Sequence, residues 1–202
     1  MTYFPQVIRT DERNRERVYD LPSCLLQDRI ILIDSEINSS LATSIIAQLL
    51  YLESENNEAP ITMYINSPGG SISDGLAIYD IMNKIKAPIN TICMGMAASM
   101  AAFLLCSGSK GRRYCLPNST VMIHQPLGGA QGQATEILIV AKRIEYLRQK
   151  MYQVISKNTG KTYEEVAQAC ERDNYLTPEE AKEFGLVDDI IESIPKAYQE
   201  EE

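Results

Sequence analysis

Ile61-Thr-Met-Tyr-Ile-Asn-Ser-Pro-Gly-Gly-Ser-Ile-Ser-Asp-Gly75 holds a strand, a turn and a helix start in succession. Ile61 to Asn66 is a short apolar run rich in residues that suit a buried strand. Ser67-Pro-Gly-Gly70 breaks that run, a helix is expected from Ser73 to Lys86, and a second strand from Ile89 to Cys93. Strands separated by a helix of this length indicate an α/β domain with largely parallel pairing. The same alternation extends upstream. Ile30-Ile-Leu-Ile33 reads as a buried strand, and Asn38-Ser-Ser40 offers N-cap candidates for a helix from Leu41 to Glu53. That helix is expected to turn Ile45, Ile46, Leu49, Leu50 and Leu52 inward.

Downstream, a helix opens near Ala98, and short extended stretches follow at Arg113 to Leu116 and Thr120 to His124. After the loop Leu127-Gly-Gly-Ala-Gln-Gly132, a helix from about Ala134 to Lys157 carries Ile137, Val140, Ile144, Leu147 and Met151 at three- and four-residue spacing. A helix of that length is about as long as the domain is wide, so it should project and meet a neighbour. A helix from Tyr163 to about Arg172, another after Thr177-Pro178 stopped by Gly185, and a strand from Leu186 to Ile191 complete the pattern. Residues 1 to 20 alternate charge signs without periodicity and are expected to form an arm or surface loop. The body then runs from 21 to 193, and 194 to 202 form an acidic tail.

Composition narrows the chemistry. Of the 19 basic and 27 acidic side chains, residues 161 to 202 hold four and thirteen, so the acidity is concentrated in the last part of the chain. No basic face for a phosphate backbone is visible, which argues against nucleic acid as a partner. The single histidine, His124, excludes a two-histidine metal site within the chain. The first residues contain no apolar run after a basic flank, so no secretory signal is expected. The longest apolar run, Met94 to Cys106, is interrupted by Gly95 and Ser99 and falls short of the roughly 20 residues needed to cross a bilayer. Cys24, Cys93, Cys106, Cys115 and Cys170 show no C-x-x-C spacing, so a reducing, cytoplasmic setting is expected.

Three places could carry chemistry. The paired glycines of Ser67-Pro-Gly-Gly70 put unencumbered N–H groups at a helix start, which suits an oxyanion, although a plain turn needing positive φ explains them equally well. A phosphate-cradling loop is excluded because the Lys-Ser/Thr after the glycines is missing. Ser99 sits among small residues in Met94-Gly-Met-Ala-Ala-Ser-Met-Ala-Ala102, where a helix start favours a developing anion. The G-x-S-x-G elbow is absent, since position 101 is Ala, and a buried structural serine fits the same residues. His124 ends an apolar strand beside Pro126 and a glycine loop, a position open to a structural or a catalytic role. Ser99, His124 and a later carboxylate would form a Ser/His/Asp set, but spacing does not choose among the acidic residues that follow.

The motifs Tyr64-Ile-Asn-Ser-Pro-Gly-Gly70, Thr91-Ile-Cys-Met-Gly-Met-Ala-Ala-Ser-Met100, Leu116-Pro-Asn-Ser-Thr-Val-Met-Ile-His-Gln-Pro-Leu-Gly-Gly129 and Glu171-Arg-Asp-Asn-Tyr-Leu176 resemble the proteolytic subunit of the caseinolytic (Clp) protease, ClpP. The resemblance runs from about Tyr19 to Asp189. It implies a crotonase-like α/β fold with repeated strand-helix units and a protruding handle helix. It further implies Ser99 as nucleophile, His124 as general base and acid, Asp173 as the carboxylate orienting His124, and the N–H groups of Gly70 and Met100 as the oxyanion hole. By the same resemblance the helix after Gln131 is the handle through which two heptameric rings stack, homomeric or mixed with a paralogous subunit, and Glu171 with Arg172 lies where rings meet. The substrates it implies are unfolded polypeptides delivered by an AAA+ unfoldase of the ClpX, ClpA or ClpC type. That partner consumes the ATP, so this chain is expected to need neither cofactor nor metal. The pocket that docks the unfoldase corresponds to Leu25, Tyr64, Lys84, Ile92, Met94 and Leu116. The sequence departs from the family pattern at Lys84, where an aromatic is common, at Cys24 in place of an arginine, and at Leu138 in place of a charged residue.

Two other functions fit parts of the sequence. A ring subunit serving assembly with little intrinsic activity would share the same motifs, and titrating active sites per subunit separates it from a peptidase. An acyl-CoA hydratase or hydrolase of the same fold would use a Ser-Pro-Gly-Gly turn for a thioester oxyanion, but leaves Ser99, His124 and Asp173 together unexplained.

Overall fold

The computed structural model describes residues 5–10 and 15–192. The chain opens with an antiparallel hairpin, β1 (Gln6–Thr10) and β2 (Glu16–Asp20), with Gln6 opposite Asp20 and Thr10 opposite Glu16. The expected arm therefore carries regular structure in its described part, held by backbone pairing that the alternating charges do not advertise. The expected tail, 194–202, lies outside the described residues. Asp20 caps a short helix, α1 (Leu21–Gln27), by accepting from the Ser23 N–H, and Pro22 occupies the first turn.

Next come β3 (Ile30–Ile33), α2 (Ser39–Glu55), β4 (Ile61–Ser67), α3 (Ile72–Met82) and β5 (Ile89–Ala98). The three strands pair in parallel, Leu32 beside Tyr64 and Tyr64 beside Ile92. Asn38 caps α2 through its side-chain oxygen and the Leu41 N–H. Of the residues expected inward on α2, Ile45, Leu49 and Leu52 are buried and Ile46 packs at the core margin. Leu50 is instead 50% exposed, because Leu49 already holds the inward position of that turn. α3 stops four residues before the expected Lys86. The Glu53 carboxylate of α2 accepts the N–H groups of Lys86 and Ala87, and this turns the chain toward β5.

The second half of the chain holds α4 (Met100–Leu105), β6 (Arg113–Cys115), β7 (Thr120–Ile123), α5 (Ala134–Thr159), α6 (Tyr163–Ala169), β8 (Asn174–Leu176), α7 (Pro178–Phe184) and β9 (Asp189–Ile190). β5 runs five residues beyond the expected Cys93 and changes partner along its length: Thr91 to Cys93 lie beside β6, and Met96 to Ala98 beside β7. The change occurs across Gly95, at φ +72°, where an added Cβ would lie 2.7 Å from the Asn66 side-chain oxygen. Asn66 in turn accepts the Met96 N–H, so the bend is held by a side chain of the neighbouring strand. β9 pairs with β6 in parallel, and β8 runs antiparallel to β7. The sheet is thus mainly parallel, with helices between its strands, which is the expected crotonase-like arrangement.

α6 ends at Ala169 instead of Arg172, because the chain must be extended from Asn174 to pair with β7. The final strand is confined to two residues of the expected Leu186 to Ile191, since Leu186 and Val187 bury their side chains in the core. α7 begins at Pro178 behind the Thr177 cap and ends at Gly185 in the left-handed region, as expected. Arg113, 5% exposed, fastens this part together. Its guanidinium donates to Asp188 and to the carbonyls of Cys106, Asn158 and Gly185. Among the described residues no helix is long and apolar enough to cross a membrane.

Candidate active site

The strand registers bring Ser99, His124 and Asp173 together. In the parallel ladder Ala98 lies beside Met122, so Ser99, the residue that follows β5, comes next to Ile123. The Ser99 N–H donates to the Met122 carbonyl at 2.8 Å. In the antiparallel ladder Ile123 faces Asn174, so the next pair outward is His124 with Asp173. The side chains meet accordingly. Nδ1 of His124 lies 2.9 Å from the Asp173 carboxylate, and Nε2 lies 2.8 Å from the Ser99 hydroxyl. An ionised carboxylate only accepts, so Nδ1 carries the proton and Nε2 is left to accept the Ser99 O–H. The His124 side chain is 11% exposed and that of Asp173 60%, so the imidazole is enclosed while the carboxylate faces out.

The backbone at the serine is strained. Ser99 has φ 55° and ψ −120°, one of two non-glycine residues of positive φ among those described. A conformation of that kind costs on the order of 1–3 kcal/mol and persists only where its surroundings enforce it. Here the strand before and the buried helix after enforce it, because α4 turns every residue from Met100 to Leu105 into the core. The effect is to lift the hydroxyl out of the interior at the carboxyl end of a central strand, where open α/β sheets place their ligand sites.

The Pro-Gly-Gly turn packs against this point. A Cβ on Gly69, at φ +95°, would stand 2.6 Å from the Ala98 carbonyl and 2.8 Å from the Ser99 Cβ. Only glycine allows that approach. Ile37 clamps the turn, donating to the Gly69 carbonyl and accepting from the Ser71 N–H, both at 2.8 Å. The clamp uses none of the Gly70 donor capacity. Among the described residues neither the Gly70 nor the Met100 N–H finds an acceptor. Uncommitted backbone donors close to a raised serine hydroxyl are available to an incoming oxygen. A cleft of about 300 Å³ opens here, lined by Glu36, Pro68, Gly69, Gly70, Ile72, Ser99, His124, Pro126, Leu127 and Met151.

The cysteines lie in the interior, away from the cleft. All five cysteines are buried and free of disulfides. Burial pushes the Cys106 thiol up to about 11 and the Cys170 thiol up to about 12. Thiols that reluctant to ionise pack as small hydrophobes. No cluster of His, Cys, Asp and Glu among the described residues could hold a metal ion.

The remaining candidate residues lie elsewhere. Tyr64 and Ile92 are neighbours in register, 8% and 0% exposed, so within one chain they belong to the sheet rather than to an open pocket. Leu25, Met94 and Leu116 are half-buried, and Lys84 is exposed beyond the end of α3. Gln131 is exposed just before α5. Glu171 and Arg172 face each other weakly at 3.7 Å, and the Glu171 carbonyl accepts from the Gln125 side chain at 2.9 Å, anchoring the segment that precedes Asp173. Sequence reasoning missed the part played by Gly69 and Ile37, and it missed β8. The paired glycines signalled the first. Three residues without periodicity gave no signal for the second.

A family model described as Clp protease matches residues 13–194. That span contains the raised serine, the histidine, the Pro-Gly-Gly turn and both strand ladders that join them, and the chain belongs to the Clp protease family.

Proposed function

We propose that the chain is a serine endopeptidase acting through an acyl-enzyme, with Ser99 as nucleophile, His124 as general base and then acid, and Asp173 holding the imidazole. The observation that carries this reading is the unbroken Asp173–His124–Ser99 hydrogen-bond chain ending on a serine of positive φ. Ser99 Oγ attacks the scissile carbonyl carbon as its proton passes to Nε2 of His124. The carbonyl oxygen, now an oxyanion, takes the free N–H groups of Gly70 and Met100, a donor worth about 3 kcal/mol of barrier in such a site. Collapse of the intermediate breaks the C–N bond, and the leaving amine collects the proton from His124. Water then repeats the sequence, with His124 as base, and releases the acyl group from Ser99.

Membership of the Clp protease family supports the wider setting. In this reading the chain assembles into two stacked heptameric rings through α5 and the Gln131, Glu171 and Arg172 region, working in the cytoplasm. Unfolded polypeptides come from an AAA+ unfoldase that docks over Leu25, Tyr64, Lys84, Ile92, Met94 and Leu116 and spends the ATP itself, so no cofactor resides in this chain. The alignment of the three side chains favours an active subunit over one kept only for assembly, and a thioester hydratase has no use for the set. Fluorophosphonate labelling with a fluorogenic peptide assay is the test. The wild-type chain should label at Ser99 and cleave, whereas Ser99→Ala should do neither. Labelling that persists in the variant would overturn the assignment.

A further inference from the structure

The cleft that holds Ser99 and His124 has one acidic residue and no Lys or Arg in its wall among the described residues, the acid being Glu36. Its carboxylate is exposed and, among the described residues, has neither a hydrogen bond nor an ion pair. Its backbone is nonetheless fixed in place. The next residue, Ile37, is 1% exposed and clamps the Pro-Gly-Gly turn, while the carbonyl of the residue before it, Ser35, accepts from the Ser67 hydroxyl at 2.6 Å. A carboxylate on a rigid support, unpaired among the described residues and facing the space a substrate must fill, is placed to act on the substrate's charge.

The surroundings have the same sign. Beyond His124 and Leu127 the cleft continues into a second recess lined by Gln125, Glu171, Arg172 and Asp173. Arg172 is the cation there, and it already faces Glu171. The rest of the main cleft wall is glycine, proline, Ile72, Leu127 and Met151, which bind without regard to charge.

We infer that Glu36 sets a substrate preference, favouring peptides with Lys or Arg at a subsite flanking the scissile bond and disfavouring Asp or Glu there. This rests on the serine peptidase reading above. An exposed ion pair of this kind is worth a few-fold in kcat/KM and weakens as salt is raised.

The test uses the full-length protein and a mixed peptide library whose cleavage sites are mapped by mass spectrometry, with active sites counted by fluorophosphonate labelling. Wild type should enrich basic over acidic residues at one subsite by about two- to fivefold at low salt. The ratio should fall toward one in Glu36→Gln and invert in Glu36→Lys. Cleavage whose basic-to-acidic ratio is the same in all three proteins overturns the role of Glu36 and leaves the peptidase reading standing. Absence of both labelling and cleavage in the wild type overturns the peptidase reading, and this inference with it.

Discussion

Two apolar stretches of this chain have opposite fates. Met100-Ala-Ala-Phe-Leu-Leu105 forms α4 and is buried at every position. Ile137-Leu-Ile-Val140, in the first turns of α5, leaves Leu138 60% and Ile139 63% exposed. The difference lies in what feeds each helix. α4 follows directly from a central strand and is driven into the interior, where Phe103 meets Tyr79 edge-on at 5.1 Å. α5 follows a loop, has 26 residues, and reaches about 39 Å, so only its second half, with Met151, Tyr152 and Ile155, can lie on the body. Apolar side chains are core in the first case. In the second they are left largely at the surface among the described residues, which suits the ring-stacking role proposed for α5.

The largest effect should come at the start of α4. Ser99→Ala is expected to lower peptide hydrolysis by on the order of 10⁴-fold or more, read as initial rate per folded subunit. It should leave the melting temperature unchanged or slightly raised, since alanine removes the hydroxyl and not the fold. Inside the same helix, Phe103→Ala should cost about 3–5 kcal/mol, seen by calorimetry as a drop of roughly 6–20 °C. Equal losses from Phe103→Ala and from Ile139→Ala in the unassembled chain would break the comparison between the two helices.

A smaller effect concerns the fastening between β6, the end of α5 and the end of α7. Burial alone would raise the Asp188 carboxyl, but the side-chain and backbone donors of Arg113 outweigh it and hold the group below its ordinary value. A lowered carboxylate contributes stability that is complete above its unfolded value and is lost as pH falls through the folded one. Asp188→Asn should therefore cost about 1–3 kcal/mol at neutral pH and flatten the acid limb of a denaturation series. An unchanged acid limb would show that other carboxylates set it.

The smallest change in stability, and the most informative about assembly, belongs to the exposed turns of α5. Leu138→Lys with Ile139→Glu should alter the stability of the separated chain by no more than about 0.5 kcal/mol. If those side chains meet another ring, native mass spectrometry should show a lighter particle. Full-size particles from the double variant would mean that stacking does not use this face.

Most of the fold was legible because its signals are local. The β-branched run Ile30 to Ile33, the Asn38 cap and the Thr177-Pro178 start each act within a few residues of the backbone they shape. Asn174-Tyr-Leu176 carries no such signal, because those residues are extended only through pairing with β7. Leu50 and the early end of α3 escaped for a related reason, since both depend on which neighbour already occupies the space. The positive φ of Ser99 is invisible in a row of small residues, because strain of that kind is imposed from both sides.

The sequence by itself settled the parallel α/β order, the solitary histidine and a serine at a strand end, since composition and period are properties of adjacent residues. Which carboxylate faces that histidine is written in no local pattern: the family resemblance points to Asp173, and only the tertiary structure supplies the physical reason. Asp173 lies 49 residues away, and it arrives at 2.9 Å because the register of β8 on β7 puts it there. Register is a long-range property, set by the packing of the whole sheet, and no count of residues along the chain contains it.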